Sequence, residues 1–340
     1  MIGGEDNLKE IISLIQNKKV LFITTKNLDY IRISQECNLL EETAKKYDTI
    51  GSYSKNYPKR ILKVWFSLLF KSVKEYDIIF VGFMPQLVLP LFKWKFKNKI
   101  LLIDFFISIF DTLVDDRKKV KEGTSKAKLL KKIDRSTLRT ANYVITDTRA
   151  HGRYFSKEFG VENRKVKVWY LEADTKYYRP MNTERPDYLK DKFVVLYFGS
   201  ILPVQGVEII LETTTLLEQR EDIHFLIIGP ISKKIDRPET KNVTYIDWLP
   251  QEQLAQYISL SDLCLAGHFS DKIGKANRTI PGKVYIYLAM KKKVVLGDSE
   301  ANRELFDEIF RQDVVYVKRG DAHALADKIV FEKEKKYNAL

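Results

Sequence analysis

FVVLYFGSILPVQGVEIILE, residues 193–212, is the stretch on which the fold turns. It reads as a buried strand that ends in Gly199, a short loop, and a helix opened by Gly206, which together make one βα unit. Outward from it the same alternation continues: a helix over VEIILETTTLLEQ, then the strand runs HFLIIGP (224–230), VTYIDW (243–248), LCLAGHF (263–269), KVVLGDS (293–299) and VVYVKRG (314–320). Short β-branched and aromatic runs separated by helical stretches are the signature of a parallel sheet wound through βαβ units.

Upstream the pattern is the same. KKVLFITT (18–25), YDIIFVGF (76–83), NKILLIDFF (98–106), NYVITDT (142–148) and KVKVWYLEAD (165–174) are strand-like, and TKYYRPMNTERPDYLKD (175–191), with two prolines and mixed charges, is the expected linker. At 340 residues the chain has room for two α/β domains. We therefore expect an N-terminal Rossmann-like domain over residues 1–180 and a second over 181–340, with the carboxyl ends of their strands facing a central cleft. No short repeat or low-complexity tract argues otherwise.

Composition narrows the class. Hydrophobic residues make up 45% and charged residues 30%, a globular balance. Cys37 and Cys264 lie far apart, which gives neither a disulfide framework nor a thiolate metal site and fits a reducing cytoplasm. The first residues, MIGGEDNLKEIISLIQNKK, lack the basic start of a signal peptide, and the longest apolar run, residues 78–92, holds two prolines and is too short to span a bilayer.

The net charge of +13 is lopsided: residues 1–180 hold 35 basic and 21 acidic side chains, against 23 and 24 in the remainder. Within residues 51–100 the ratio is 10 to 2, interleaved with aromatics in YPKRILKVWFSLLFKSVK and LFKWKFKNK. An anionic membrane surface, nucleic acid, or plain solvent could face such a region, and the membrane is the expected partner. In a helix from about Lys59 to Lys74, Ile61, Leu62, Trp65, Leu68, Leu69 and Val73 recur at three- and four-residue steps, a stripe that serves a membrane or a core equally well.

The turn after residue 198 is where phosphate chemistry would sit. Gly199, Ser200, Gln205 and Gly206 would aim free backbone N–H groups and a helix N-terminus at one spot, which suits a diphosphate. The spacing is not the dinucleotide GxGxxG, and many βα turns take glycine for steric reasons alone.

From this turn onward the chain resembles the GT-B glycosyltransferases of family 4, of the bacterial or archaeal surface-polysaccharide type. HFLIIGP resembles the family's second strand, residues 243–267 its base-contacting loop with the helix and strand that follow, RTIPGKVYIYLAMKKKVVLGDSEANREL its ribose- and diphosphate-binding helix and next loop, and GDAHALADKI its closing helix. More loosely, SIFDTLVDDRK, residues 129–161 and KVKVWYLEADTKYYRP resemble the stretch leading to the family's linker, where Asp174 would be a structural aspartate. Members usually finish with a helix that crosses back onto the first domain, for which FEKEKKYNAL leaves little room.

The resemblance implies a donor site, and the departures shape it. The family's turn arginine falls on Ser200 and its turn lysine on Gln205, so cations must come from elsewhere. Lys272, Lys275, Arg278 and Lys283 stand nearby, and we expect Arg278 and Lys283 to hold the diphosphate and to aid its departure. The family's ribose-binding glutamate is replaced by Ile286, and the small residue and proline that usually follow by Lys291 and Lys293. By analogy Ser299, Glu300 and Glu304 lie near the sugar and ribose, although an acidic residue there is also an ordinary helix cap. Trp248 and Leu249 would flank the base, although a tryptophan after a strand is more often core.

On the acceptor side Asp104 ends a strand, and Asp111, Asp115 and Asp116 follow. Asp104 and Asp111 are the best placed to orient an acceptor hydroxyl, and His151 stands early in a helix after a strand. His224 and His268 are expected to be structural. Neither a metal site nor a cofactor is implied, the donor being a UDP- or GDP-sugar. The expected activity is retaining, metal-independent hexosyl transfer to a lipid-linked or polysaccharide acceptor at the cytoplasmic membrane face, in polysaccharide biosynthesis. The alternative is a catalytically inactive GT-B-like subunit that stabilises an active transferase. A nucleotide-sugar epimerase is a weaker option, its general acid and base not being evident.

Overall fold

The computed structural model describes residues 5–231, 235 and 237–338. The chain divides into two compact units, Met1–Glu172 and Ala173–Leu340. The first is built on a six-stranded parallel sheet of β1 (Lys19–Asn27), β2 (Lys46–Ser52), β3 (Ile78–Val81), β4 (Ile100–Asp104), β5 (Tyr143–Thr146) and β6 (Val166–Val168), in the order β2-β1-β3-β4-β5-β6. The second has β7 (Phe193–Phe198), β8 (Ile223–Ile228), β9 (Val243–Ile246), β10 (Leu263–Leu265), β11 (Lys293–Gly297) and β12 (Val314–Val317), in the order β12-β11-β10-β7-β8-β9.

Helices cover both faces of each sheet, so the central strands are apolar on both sides. In the first unit Leu21, Ile23, Ile79, Val81 and Ile103 pack on one face with Val64, Leu68 and Phe155. Val20, Phe22, Ile78, Phe80 and Leu102 pack on the other with Ile11, Ile15, Ile33 and Leu40. Strand β2 carries no such run: only Ile50 and Ser52 of KYDTIGS are buried, because it is an edge strand. It is absent from the sequence-based list for that reason.

The expected linker belongs to the second unit. Arg185 donates from Nη2 to Leu260 O and to Asp262 Oδ1, both at 2.7 Å, and from Nη1 to Lys192 O at 3.0 Å. Ser259 Oγ donates to Met181 O at 2.8 Å. These bonds bind residues 181–192 to the second sheet, and the division between units falls before them, at Glu172/Ala173.

The helix expected from about Lys59 to Lys74 runs Tyr57–Phe70, capped by Asn56 Oδ1, which accepts from Lys59 N at 3.0 Å. Among the described residues no helix is long and apolar enough to cross a membrane. In the second unit the winding reverses between β7 and β10, which are neighbours in the sheet although two strands separate them in the chain. At such a point the loops leaving the two strands diverge and open a crevice at their carboxyl ends.

Candidate functional site

Lys283 fills that crevice. It opens the helix Lys283–Ala289, is only 8% exposed, and donates from Nζ to Gln205 Oε1 at 2.6 Å. Its ammonium lies 4.3 Å from the ring centroid of Tyr197 on β7. A Cβ placed on Gly199 would stand 3.1 Å from Nζ, and one on Gly267, just past β10, would strike the Gln205 amide and lie 3.3 Å from Nζ. The lysine thus reaches the turn after β7 from the helix that follows β10.

The electrostatics of this arrangement are unusual. Burial holds the Lys283 ammonium down at about 7, and no carboxylate among the described residues is paired with it. The Tyr197 hydroxyl is buried without a hydrogen-bond partner among the described residues, and burial raises its pKa. A buried cation facing amide oxygen and ring, beside an unmatched hydroxyl, is a set of donors lacking an anion.

Gly206 sets the turn. Its φ of +63° is left-handed, and a Cβ there would meet Ser270 N at 2.6 Å. This close approach lets Phe269 N donate to Gln205 O at 3.1 Å, so the loop after β10 is stitched to the loop after β7. The helix Val207–Leu216 then starts with its N-terminus at the crevice.

Further along the carboxyl edge, His268 Nδ1 bonds Thr279 O at 2.9 Å and draws in the short helix Lys275–Arg278. Asn277 Oδ1 accepts from Glu300 N at 3.2 Å and from Arg319 Nη2 at 3.3 Å, which places that helix against the start of the helix Glu300–Ile309. Ser299 is the cap of the latter, its Oγ accepting from Asn302 N at 3.1 Å. Glu300 is exposed, whereas Glu304 and Arg278 are half-buried. Lys272 is exposed and Lys275 half-buried.

Gly199, Ser200, Gln205 and Lys283 are therefore brought together at one turn, with Arg278, Ser299 and Glu300 on two elements that touch each other. Trp248 and Leu249 follow β9 at the opposite edge of the sheet. Trp248 is 73% exposed, so the core alternative does not apply to it.

In the first unit Asp104 closes β4 and is buried, its Oδ2 accepting from Arg32 Nε at 2.7 Å. Arg32 also donates from Nη1 to Trp169 O at 2.7 Å. Burial, with Asp104 beside it, pushes the Glu36 carboxyl well above the usual range. Asp111 and Asp116 are buried in the wide turn Asp111–Asp116, with Asp115 half-buried. His151 is fully buried, its Nδ1 bonding Asp147 Oδ1 at 2.6 Å. Asp174 is exposed and its Oδ1 accepts from Lys176 N at 3.0 Å, while His224 Nε2 bonds Thr244 Oγ1 at 2.8 Å.

Comparison with known proteins bears on the fold that carries these residues. Residues 192–331 match the family model described as glycosyl transferases group 1. A search of curated protein sequences returned no match. Along nearly its whole length the chain is similar to HepE of Anabaena in complex with UDP and glucose: 15% identity, TM-score 0.60, covering 94% of this chain and 91% of that one. It is likewise similar to sucrose-phosphate synthase of Thermosynechococcus elongatus, at 13% identity and TM-score 0.63 over 94% and 90% of the two chains. The fold is GT-B. A glycosyltransferase of Rickettsia africae shares this GT-B fold at 15% identity and TM-score 0.60, covering 94% of this chain and 88% of that one.

In this GT-B chain, sequence reasoning missed Tyr197, Gly267 and Asn277. Gly267 was visible as a glycine at the end of a strand. Tyr197 gave no signal, since a tyrosine in an apolar strand reads as core.

Proposed function

We propose that this chain is a glycosyltransferase that takes a sugar from a UDP- or GDP-sugar and binds the donor diphosphate at the turn after β7, with Lys283 as its principal cation. The buried Lys283 ammonium, at the point where the sheet reverses and without a carboxylate partner among the described residues, carries this reading. A diphosphate there would restore the charge of the lysine and accept from the Gly206-opened helix N-terminus. As the glycosidic bond breaks, negative charge grows on the departing nucleoside diphosphate, and a preorganised ammonium in a dry crevice stabilises it.

In this reading Arg278 is the second cation, the loop at Ser299 and Glu300 with Glu304 contacts sugar and ribose, and Trp248 and Leu249 flank the base. Transfer is retaining, of hexosyl type and metal-independent, to a lipid-linked or polysaccharide acceptor at the cytoplasmic membrane face. Asp104 and Asp111 are the proposed acceptor-side carboxylates, Asp104 being held in place by Arg32. The likeness to a protein crystallised with UDP and glucose puts uridine donors first.

Ile286 favours a second reading, in which the chain binds nucleotide but supports an active partner, because isoleucine offers no acceptor to ribose hydroxyls. Calorimetric titration with UDP-glucose and GDP-mannose, followed by assay of nucleoside diphosphate release in the presence of membrane lipids, separates the two. Binding with release supports the enzyme, and binding without release the partner. No binding of either nucleotide refutes both donor-site readings.

A further inference from the structure

The helix Tyr57–Phe70 is apolar on two sides. Its inner side sets Arg60, Val64 and Leu68 against the first sheet. Its outer side leaves Leu62, Phe66, Leu69 and Phe70 in solvent, with Phe66 65% and Phe70 75% exposed and their rings 4.9 Å apart. A soluble helix needs only one such side, so the outer one is not explained by folding.

The patch continues onto the next element. Lys95 Nζ donates to Leu68 O at 2.5 Å and to Leu69 O at 2.9 Å, and Trp65 Nε1 donates to Leu87 O at 2.8 Å. These bonds clasp residues 87–96 to the helix, and Leu91 and Trp94 of that segment are exposed as well. Exposed Lys59, Lys63, Lys93 and Lys97 are interleaved with the apolar side chains, and no acidic partner stands against them among the described residues.

We propose that the outer side of the helix Tyr57–Phe70, with Leu91 and Trp94, is a docking face for an anionic lipid bilayer. Aromatic and aliphatic groups enter the boundary between headgroups and acyl chains while the lysine stems bend outward to the phosphates. Charge argues against a second copy as occupant, since a two-fold contact through this face would set the lysines of one copy against those of the other. The proposal deepens the membrane-face part of the reading above, and it is tested without turnover, so each can fail alone.

The test is flotation of the full chain with phosphatidylcholine vesicles, with and without phosphatidylglycerol. Wild type is expected to float only with the anionic vesicles. Phe66→Ser with Trp94→Ser lowers the partition coefficient at least about tenfold. Lys59→Gln, Lys63→Gln and Lys93→Gln lower it about fivefold each, with added salt doing the same to wild type. All five side chains are exposed, and an unchanged melting temperature confirms that each variant is folded. Failure to float, flotation as strong with neutral vesicles, or undiminished flotation of the aromatic variant overturns the proposal. So does a wild-type dimer in solution that the aromatic variant dissociates, since a second copy would then cover the face.

Discussion

Replacing Lys283 by methionine should make the empty protein more stable and the site useless. An ammonium that gives up its proton at about 7 in the native chain, against 10.5 when unfolded, destabilises the native state by about 4 kcal/mol at neutral pH. Methionine removes that cost and keeps the stem, but strands Gln205 Oε1, a loss of about 1–3 kcal/mol. The net gain of roughly 2 kcal/mol corresponds to a rise in Tm of about 5 °C for a unit of this size. The gain must also depend on pH. From pH 7 to 10.5 the unfolded chain holds the Lys283 proton and the native chain does not, so wild-type stability rises with pH relative to Lys283→Met. The difference between the two is therefore flat below pH 7, closes at about pH 9 and reverses above it, where the stranded Gln205 Oε1 outweighs the remaining charge cost. Binding runs the other way: the diphosphate favours the charged lysine, so wild-type affinity for UDP-glucose is constant below pH 7 and falls above it. The variant loses roughly 10- to 100-fold at pH 7, as expected for one charge-assisted hydrogen bond. Scanning calorimetry at several pH values and titration with UDP-glucose measure both effects. A variant that melts below wild type at pH 7, with a gap that ignores pH, or that retains wild-type affinity, refutes the assignment.

Two other substitutions probe the frame around the site. Gly206→Ala should cost about 1–3 kcal/mol and weaken nucleotide binding, since a left-handed φ and a Cβ at 2.6 Å from Ser270 N force the two stitched loops apart; chemical denaturation reads the first and calorimetry the second. Arg32→Met leaves the Asp104 carboxylate buried without its cation and should destabilise the first unit by about 3–5 kcal/mol, seen as an earlier loss of its circular dichroism, while nucleotide affinity in the second unit stays at the wild-type level.

What could be read from the chain depended on sequence distance. All six strands of the second sheet were legible, because each is a run of apolar residues bounded by glycine or polar turns. Strand β2 was not, since an edge strand with one polar face has no such run. The expectation of a cation at Lys283 in place of Gln205 came from a departure in the family pattern. That the two would bond each other did not, because 78 residues separate them and only the winding of the sheet joins them. The same holds for Arg32 and Asp104, 72 residues apart. The helix over residues 57–70 was open between core and membrane because its apolar residues go most of the way round. The structure assigns Val64 and Leu68 to the core and leaves Phe66 and Phe70 outside.

The Arg185 fork has a bearing on how the second unit could be cut from this chain or exchanged with that of a relative. The family match starts at residue 192, and a splice at that point would discard the fork. Leu260 O would then lose both guanidinium donors, and the buried Asp262 carboxylate would keep Lys336 and the Val194 N–H but not Arg185. A chimera joined at Glu172/Ala173 carries the fork with the sheet it serves, so the workable seam lies some way before β7.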